Sequence, residues 1–294
     1  MRDTRDMLLV LLSSLLMLTG CSRRDILDDY PVSGVEISLD WNGVTNKLPE
    51  GVRVIFYPKN AEGRKIDTYL SVKGGKVKVP PGRYSVVVYN YDTETVQIRG
   101  EEAYETIEAF TGHCNGLGIA GTEQLVWGPD PLYVVRIDDL KIENSEEELQ
   151  LNWKPKLVVK TYSFKLKVQG LEYVSSIVGS IEGMSSCYDL GLGCGKAGDS
   201  PIYFAARGSA GEVTGSFTVF GTSEGVISRA GNAIKLTLAF VKTDNKVQKM
   251  EVDITEVIAN SESGGSGGDD DGDEPFKEIE LPVEDEVKVD KPDS

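Results

Sequence analysis

The stretch VEISLDW at residues 35–41 alternates apolar and polar side chains with a period of two. Its apolar positions share one face of a strand and its polar positions share the other, so one side meets a core and the other meets water. The same alternation, rich in β-branched and aromatic residues, recurs to about residue 260, and long stretches of helical periodicity do not occur. The sequence therefore predicts an all-β protein.

The strands fall into two groups. In the first, the fuller apolar run VRVIFY at 52–57 is followed by RYSVVVYNY at 83–91, the strongest strand pattern of the chain. In the second, YSFKLKV at 162–168 resumes the alternation, and the last predicted strand runs from 247 to 258. Short strands about every ten residues, with polar turns between them, are typical of β-sandwiches. We therefore predict two tandem sandwiches, at residues 34–155 and 156–260.

The N-terminus has the pattern of a bacterial lipoprotein signal. Arg2 and Arg5 precede an apolar run that ends in LTGC, with Cys21 as its last residue. The run has secretory length and is too short to span a bilayer. We predict a signal peptide at 1–20, lipidation at Cys21, and a polar tether at 21–33 that precedes the first sandwich. Each buried methylene of an acyl chain contributes about 0.8 kcal/mol to membrane binding, so two or three acyl chains hold a protein on a membrane almost permanently.

The C-terminal region, residues 261–294, is strongly acidic. It holds 13 of the acidic and three of the basic side chains of a protein whose net charge is −16. A Gly/Asp-rich linker opens it and cannot bury enough surface to fold. Beyond the linker, residues 276–289 alternate apolar and charged side chains, so they suit either a disordered tail or a strand that pairs with a sheet edge. Composition favours a flexible acidic tail. The excess of acid argues against nucleic acid as a partner.

Three cysteines remain after Cys21, an odd number for an oxidising compartment. Cys187 and Cys194 flank the flexible loop YDLGLG, which predicts a disulfide between them. Three free, buried thiols, with Cys114 as the third, are the alternative. These cysteines and one histidine have unfavourable spacing for zinc, so no metal is predicted.

No catalytic signature stands out, and no cofactor is predicted. The lone histidine, His113, lies in a glycine-rich loop, and the sequence contains no G-x-S-x-G elbow. GLGIAG at 116–121 matches a dinucleotide fingerprint by letters only, because it does not sit between a strand and an amphipathic helix. The acidic run at 269–273 lacks the glycine that an EF-hand loop needs at its sixth position. The sequence indicates a protein that is not an enzyme.

A glycan platform is the second function that the sequence suggests. Trp41, Trp127 and Trp153 are the candidates for stacking on sugars, and core packing explains them equally well. Trp41 ends an apolar strand face, which predicts burial. Trp127 precedes GPDP and is the tryptophan we expect to be exposed. A flat row of exposed aromatics around Trp127 would favour a glycan-binding lipoprotein of a carbohydrate-uptake system.

Several motifs together resemble a known family. The lipobox is followed by V-x-I-x-L-x-W at 35–41, IFYP at 55–58, PGRY at 81–84 and YNYDT at 89–93. This arrangement resembles Bacteroides-type lipoproteins grouped with fimbrial anchor and accessory subunits of the FimB and Mfa type, best from residue 21 to about 260. The resemblance implies two transthyretin-like sandwiches, an acylated N-terminus in the outer membrane at the cell surface, and no enzyme activity.

The resemblance also implies a mechanism. Such subunits join through strand addition, in which a strand of one subunit completes the sheet of its neighbour. An anchor would offer an open edge to a fimbrial shaft or accessory subunit while Cys21 holds it in the lipid. Residues 276–289 are the candidate for a donated or self-complementing strand.

Overall fold

The computed structural model describes most of the chain after residue 32. The described ranges are 33–60, 63–114, 124–197, 200–221, 233–263, 276–283 and 287–292. The predicted signal peptide, Cys21, the GLGIAG stretch and the acidic run at 269–273 all lie outside these ranges.

The described residues form strands almost throughout. In chain order the first eleven are β1 (Ser33–Leu39), β2 (Gly51–Pro58), β3 (Ile66–Ser71), β4 (Gly74–Val79), β5 (Gly82–Asn90), β6 (Val96–Arg99), β7 (Glu108–Thr111), β8 (Val126–Trp127), β9 (Tyr133–Ile142), β10 (Leu149–Trp153) and β11 (Lys156–Leu157). The others are β12 (Val159–Gln169), β13 (Val174–Glu182), β14 (Ser185–Asp189), β15 (Cys194–Ala197), β16 (Ile202–Ser209), β17 (Glu212–Phe220), β18 (Lys235–Lys242), β19 (Val247–Asp253), β20 (Phe276–Glu280) and β21 (Val287–Lys288). A 3₁₀ turn at Leu171–Tyr173 precedes β13, and the helix α1 (Thr255–Ser263) follows β19.

The strands assemble into two large sheets and one small sheet. The first large sheet has the order β10-β1-β4-β3-β2-β5-β9-β11. The second has the order β19-β18-β13-β16-β17-β12-β20, with β21 also paired to β12 and β8 paired to β16. The small sheet has the order β15-β14-β7-β6. This architecture confirms the prediction of an all-β protein with two β-rich domains.

The fuller apolar pattern of β2 and β5 has a clear cause, because both faces of these strands are buried. Phe56 and Val86 belong to a core cluster formed entirely by strands of the first sheet, which therefore curls around it. Their neighbours Ile55 and Val87 point the other way, into a second cluster shared with Tyr188 of β14. A strand buried on both faces reads as a continuous apolar run.

The small sheet joins elements that lie far apart in sequence. Its β6 and β7 come from the first predicted sandwich, while β14 and β15 come from the second. Lys196 Nζ lies 2.8 Å from the buried carboxylate of Asp189 and 3.1 Å from that of Glu108. The division into domains at residues 155 and 156 stays a prediction, and β11, which follows that division, pairs with β9 of the first sheet.

One strand is shorter than predicted. The sequence predicts a strand from 247 to 258, whereas β19 ends at Asp253 and α1 begins at Thr255. The Asp253 carboxylate accepts hydrogen bonds from the Thr255 backbone N–H (2.9 Å) and hydroxyl (2.6 Å). These bonds hold the pKa of Asp253 below its usual range. A carboxylate that accepts from the following backbone favours the start of a helix over continuation of a strand.

The prediction of a flexible acidic tail is corrected over its described part. Residues 276–280 and 287–288 form the strands β20 and β21, both parallel to β12. Ile279 and Val289 are buried in the core of the second sheet. Composition misled here because a few correctly spaced apolar side chains anchor a segment that is rich in exposed charged side chains.

Candidate functional site

The candidate site is the outer edge of β12 together with the described C-terminal residues that cover it, 276–283 and 287–292, which we call the C-terminal segment. The apolar positions of β12 are buried and its alternate positions from Ser163 onward are exposed. On one side β12 pairs antiparallel with β17 from Val159 to Lys167. On the other side its partners are β20 and β21. The chain therefore closes this edge with a strand from its own C-terminus.

The first contact is made by β20. Its register pairs Thr161 with Phe276 and Phe164 with Ile279. The Ile279 side chain is 3% exposed and enters the core, whereas Phe276 at the start of the strand is 57% exposed. One apolar side chain thus carries most of the burial that this strand provides.

Charged groups add a second, weaker set of contacts to β20. Lys165 Nζ lies 3.1 Å from Glu278 Oε1, and both side chains are mostly exposed. Pairs this open to solvent contribute little to stability. Lys277 Nζ donates to the carbonyl of Ser261 at 2.8 Å, which ties β20 to the end of α1.

The second contact is made by β21 and the residue after it. Val289 is 1% exposed, and its backbone N–H donates to the carbonyl of Gln169 at 2.9 Å. The side-chain amide of Gln248 donates to the carbonyl of Lys288 at 2.8 Å and accepts from the N–H of Asp290 at 3.0 Å. Gln248 therefore holds the backbone on both sides of Val289.

Gly170, directly after β12, allows the segment to come this close. Its φ is +81°, and a Cβ built there would lie 2.3 Å from the carbonyl oxygen of Val289. Both the backbone conformation and the close approach require glycine. The end of β12 is thus shaped to receive the C-terminal segment.

The C-terminal segment does not pair with β12 as one continuous ladder. The pairing described is five residues in β20 and two in β21. Between them, Leu281 and Val283 pack against the core without joining the ladder, and the N–H of Val283 donates to the carbonyl of Leu281 at 2.8 Å. The edge is filled in two short pieces, with buried sockets for Ile279 and Val289.

The three tryptophans do not form a common platform. Trp127 is exposed as predicted (38%), but its ring stands edge-on to Tyr203, with centroids 5.3 Å apart and an interplanar angle of 88°. Trp153 is buried. Trp41 is only half-buried, and its indole N–H donates to the carbonyl of Val72 at 2.6 Å. A flat row of aromatics around Trp127 is therefore not what these rings form.

The structure has free thiols at Cys114, Cys187 and Cys194, so it does not contain the predicted disulfide. The register of β14 and β15 pairs Cys187 with Lys196, and Cys194 with Asp189. The two cysteines are thus diagonal neighbours, and such pairs lie about 7–8 Å apart, beyond disulfide reach. Burial raises the pKa of Cys114 to about 11 and also raises that of Cys187.

The remaining candidates for chemistry stay apart. His113 is exposed and forms an isolated bridge with Val126. Across the described ranges, no group of three or more His, Cys, Asp or Glu side chains is placed to hold a metal ion. The same ranges contain no helix with the length and apolar character needed to cross a membrane.

Sequence reasoning missed two parts of the site. Gln248 reads as an ordinary polar position of an edge strand, and only the fold brings it to residues 288–290. Gly170 offers a weak signal, since a glycine directly after a strong alternating strand indicates a turn or a close approach. The partner in that approach is not visible in the sequence.

Comparison with known proteins identifies the family to which this architecture belongs. The protein-family model "Domain of unknown function (DUF5119)" matches residues 20–205. A Bacteroides ovatus protein named "Putative fimbrium anchoring subunit Fim4B" is 60% identical over 306 residues, covering 100% of this chain and 92% of that protein. This relative confirms the resemblance to Bacteroides fimbrial anchor and accessory subunits.

Two solved structures share the fold. A Bacteroides ovatus protein described as a "putative adhesin" has a TM-score of 0.79 and 57% identity, covering 94% of this chain and 99% of that one. A Bacteroides thetaiotaomicron structure described among "putative polysaccharide binding proteins" has a TM-score of 0.53 and 10% identity, covering 85% and 89%. The second likeness concerns the fold alone. By the extent of the family match and the identity of its relative, the chain belongs to the family described as Domain of unknown function (DUF5119).

Proposed function

We propose that this protein is a non-catalytic fimbrial anchor or accessory subunit of the cell surface. In this proposal it is held in the outer membrane by lipid on Cys21 and joins partner subunits by β-strand addition at the outer edge of β12. The observation that carries the proposal is the C-terminal segment lying along that edge in two short parallel stretches. The names of the relatives, a fimbrium anchoring subunit and an adhesin, support the fimbrial role.

The geometry of this edge suits replacement of the C-terminal segment by a strand of a partner subunit. Parallel pairing is slightly less stable per residue than antiparallel pairing, and here it spans five and two residues. A strand from a partner that runs continuously along β12 would replace both pieces with one ladder. Its apolar side chains would enter the sockets now filled by Ile279 and Val289. Main-chain hydrogen bonds would supply affinity, and the sockets would supply specificity.

An edge of this kind also needs a cover when no partner is present. Unpaired strand edges with apolar faces promote aggregation. In the isolated subunit the C-terminal segment serves as that cover, and assembly would remove it. The segment therefore acts as a self-complementing strand before assembly.

A disulfide lock tests the proposal. Ser163 on β12 is exposed and pairs with Glu278 of β20 on one side and with Ser216 of β17 on the other. The variant Ser163→Cys/Glu278→Cys fixes the C-terminal segment in place. The matched variant Ser163→Cys/Ser216→Cys adds a disulfide to the same strand on the side away from the edge.

We expect the 163–278 lock to abolish co-purification of fimbrial subunits from detergent extracts of cells, and reductant to restore it. The 163–216 lock should leave co-purification unchanged. Unchanged co-purification with a fully oxidised 163–278 lock would contradict exchange at this edge. Co-purification lost equally in both locks would also contradict it, since the loss would then not depend on the C-terminal segment.

The alternative, a glycan-binding lipoprotein built on Trp127, has less support. The Trp127 ring is turned edge-on to Tyr203 and offers no extended flat surface. Retention of wild-type protein, but not a Trp127→Ala variant, on a polysaccharide column would revive it.

A further inference from the structure

A second surface of the first sheet carries two exposed aromatic rings that the fimbrial proposal does not use. Tyr69 on β3 is 60% exposed and Tyr91, directly after β5, is 45% exposed. Their rings meet edge to face, with centroids 5.3 Å apart and an interplanar angle of 79°. The two rings therefore form no common flat surface, but both side chains remain largely open to solvent, and the Arg53 guanidinium carbon lies 5.6 Å from the centroid of the Tyr69 ring. Exposed aromatic rings of this kind occur at binding sites, because one part is apolar and the hydroxyl end is wet.

The position of Tyr91 depends on a glycine. Gly51 lies on β2, between the strands that carry the two tyrosines. A Cβ built on Gly51 would lie 2.7 Å from the Tyr91 hydroxyl oxygen and 3.0 Å from its Cε1. The ring of Tyr91 thus crosses β2 in the space that this glycine leaves, and reaches Tyr69 by doing so.

Next to the rings, Arg53 holds two carboxylates in place. Its Nε and Nη2 donate to Asp67 at 2.9 and 2.7 Å, and its Nη1 and Nη2 donate to Glu101 at 2.5 and 3.0 Å. Nη1 also donates to the hydroxyl of Tyr89 at 2.8 Å. These five bonds use all the guanidinium donors. Arg53 is therefore a positioning residue, and it offers a ligand the further lone pairs of the carboxylates it orients rather than N–H groups of its own.

The electrostatics keep those acceptors charged. The hydrogen bonds from Arg53 hold the pKa of Asp67 below its usual range, and the bond to Asp67 raises the pKa of Arg53. Two cations, Arg53 and Lys65, face the three carboxylates of Asp67, Glu101 and Glu102, so this group carries a net charge of −1. An anionic ligand is disfavoured there, and a donor-rich neutral or cationic ligand is favoured.

Glu101 is fixed through its backbone as well as its side chain. Its carbonyl accepts from the Tyr57 hydroxyl and from Lys65 Nζ, both at 3.0 Å. The residue is thereby tied to β2, to the start of β3 and to Arg53. A site whose acceptors are already oriented loses little conformational entropy on binding.

Arg53, Glu101 and the two rings belong to a shallow depression of about 190 Å³, which we call the tyrosine depression, and Asp67 supports it from outside the lining. The lining residues are Arg53, Tyr69, Tyr89, Asn90, Tyr91, Thr93, Val96, Ile98 and Glu101. Its volume is below that of sites for drug-sized ligands, so it suits one ring rather than a whole chain. A sugar ring has an apolar C–H face for an aromatic ring and hydroxyl donors for carboxylates. We propose that the tyrosine depression binds a neutral or amino sugar unit of a glycan.

The test is direct binding by the full-length chain purified in detergent. The probe is an array of neutral, amino, sialylated and uronic-acid-containing oligosaccharides, followed by affinity measurement on the strongest neutral or amino sugar. We expect binding to the neutral or amino class. Tyr69→Ala and Tyr91→Ala should each weaken it by about tenfold or more, because each removes one stacking surface.

Matched variants separate stacking from folding. Tyr69→Phe and Tyr91→Phe keep the rings and should retain binding within about threefold, since stacking needs the face and not the hydroxyl. Glu101→Gln should weaken binding without changing either ring. Trp127→Ala removes an exposed ring elsewhere and should leave affinity unchanged. The melting temperature of each variant shows whether it is folded.

Three results would overturn the proposal. The first is binding to no oligosaccharide of any class, and the second is a preference for sialylated or uronic-acid-containing probes. The third is affinity that persists in the folded Tyr69→Ala and Tyr91→Ala variants. A lysine-rich peptide that binds at the tyrosines when no sugar does would assign the depression to a basic peptide instead.

Discussion

The docking of the C-terminal segment can be measured through a single side chain, Ile279. The change Ile279→Ala removes three carbons from a side chain that is 3% exposed. Transfer of these groups to water costs about 2.4 kcal/mol, and the cavity left behind raises the expected loss to about 3 kcal/mol. Phe276→Ala is the matched control on the same strand. The Phe276 side chain is larger but 57% exposed, so its loss should cost less than about 1 kcal/mol.

Two assays report the effect. Urea unfolding of each variant gives the change in the free energy of global unfolding. Native-state hydrogen exchange gives the opening of the segment itself, and a loss of about 3 kcal/mol corresponds to roughly hundredfold faster exchange of the amides of β20. Ile279 is exposed both in the opened segment and in the unfolded chain, so the loss should appear in both assays, and in global unfolding it is limited to the free energy of opening the segment.

The reasoning would be refuted by a simple result. If Ile279→Ala and Phe276→Ala cost the same stability, and neither speeds exchange in β20, then Ile279 is not the anchor of this segment. The outer edge of β12 would then not be closed by the C-terminus, and the proposal of strand exchange would lose its basis.

Three further predictions concern other parts of the molecule. Gly170→Ala should be more destabilising than Gly211→Ala in thermal unfolding, although both glycines have φ near +80°. A Cβ at Gly170 would lie 2.3 Å from a backbone carbonyl oxygen, whereas one at Gly211 would lie 3.9 Å from its nearest carbonyl oxygen. Equal losses would show that the close approach at Gly170 does not require glycine. Arg53→Met should lower stability at pH 7 by about 2 kcal/mol. The depressed pKa of Asp67 stabilises the fold above about pH 4, and this stability is lost as the pH falls through the lower pKa of the folded state. Stability should therefore fall less steeply with acid in the Arg53→Met variant. An unchanged slope in urea unfolding measured from about pH 5 to 2 would contradict the Arg53–Asp67 pairing. Cys21→Ser should abolish incorporation of a palmitate analogue and release the protein from the membrane fraction, and labelling that persists would place the lipid elsewhere.

Much of the secondary structure follows from the sequence because strands have a local signature. In a strand, residues two positions apart lie on the same face, so the alternation in VEISLDW and YSFKLKV identifies β1 and β12 without any long-range contact. The sequence also marked β2 as a fuller apolar run, and the structure explains that run by burial on both faces. The strand predicted over 247–258 was wrong in its last part because a local capping bond at Asp253 outweighed the apolar pattern.

The candidate site was predicted only in part. The alternation in residues 276–289 allowed a pairing strand, but net charge and the preceding linker favoured disorder. In the structure, burial of two apolar side chains, Ile279 and Val289, stabilises the paired strand over the disordered tail. Both belong to a core cluster built by residues from many strands and α1, and no local sequence pattern specifies the shape of such a core.

By itself the sequence determined that this protein is built from strands, where most of them lie, and that its N-terminus has the pattern of a lipoprotein signal. The tertiary structure decided which strands are partners. It placed β10 parallel to β1, and paired β7 with β14 to form the small sheet. It also brought Tyr69, Tyr91 and Glu101 around one depression. The physical reason is that alternation is a local property of the chain, whereas pairing and pockets depend on contacts between residues far apart in sequence, whose energies are set only when the whole core packs.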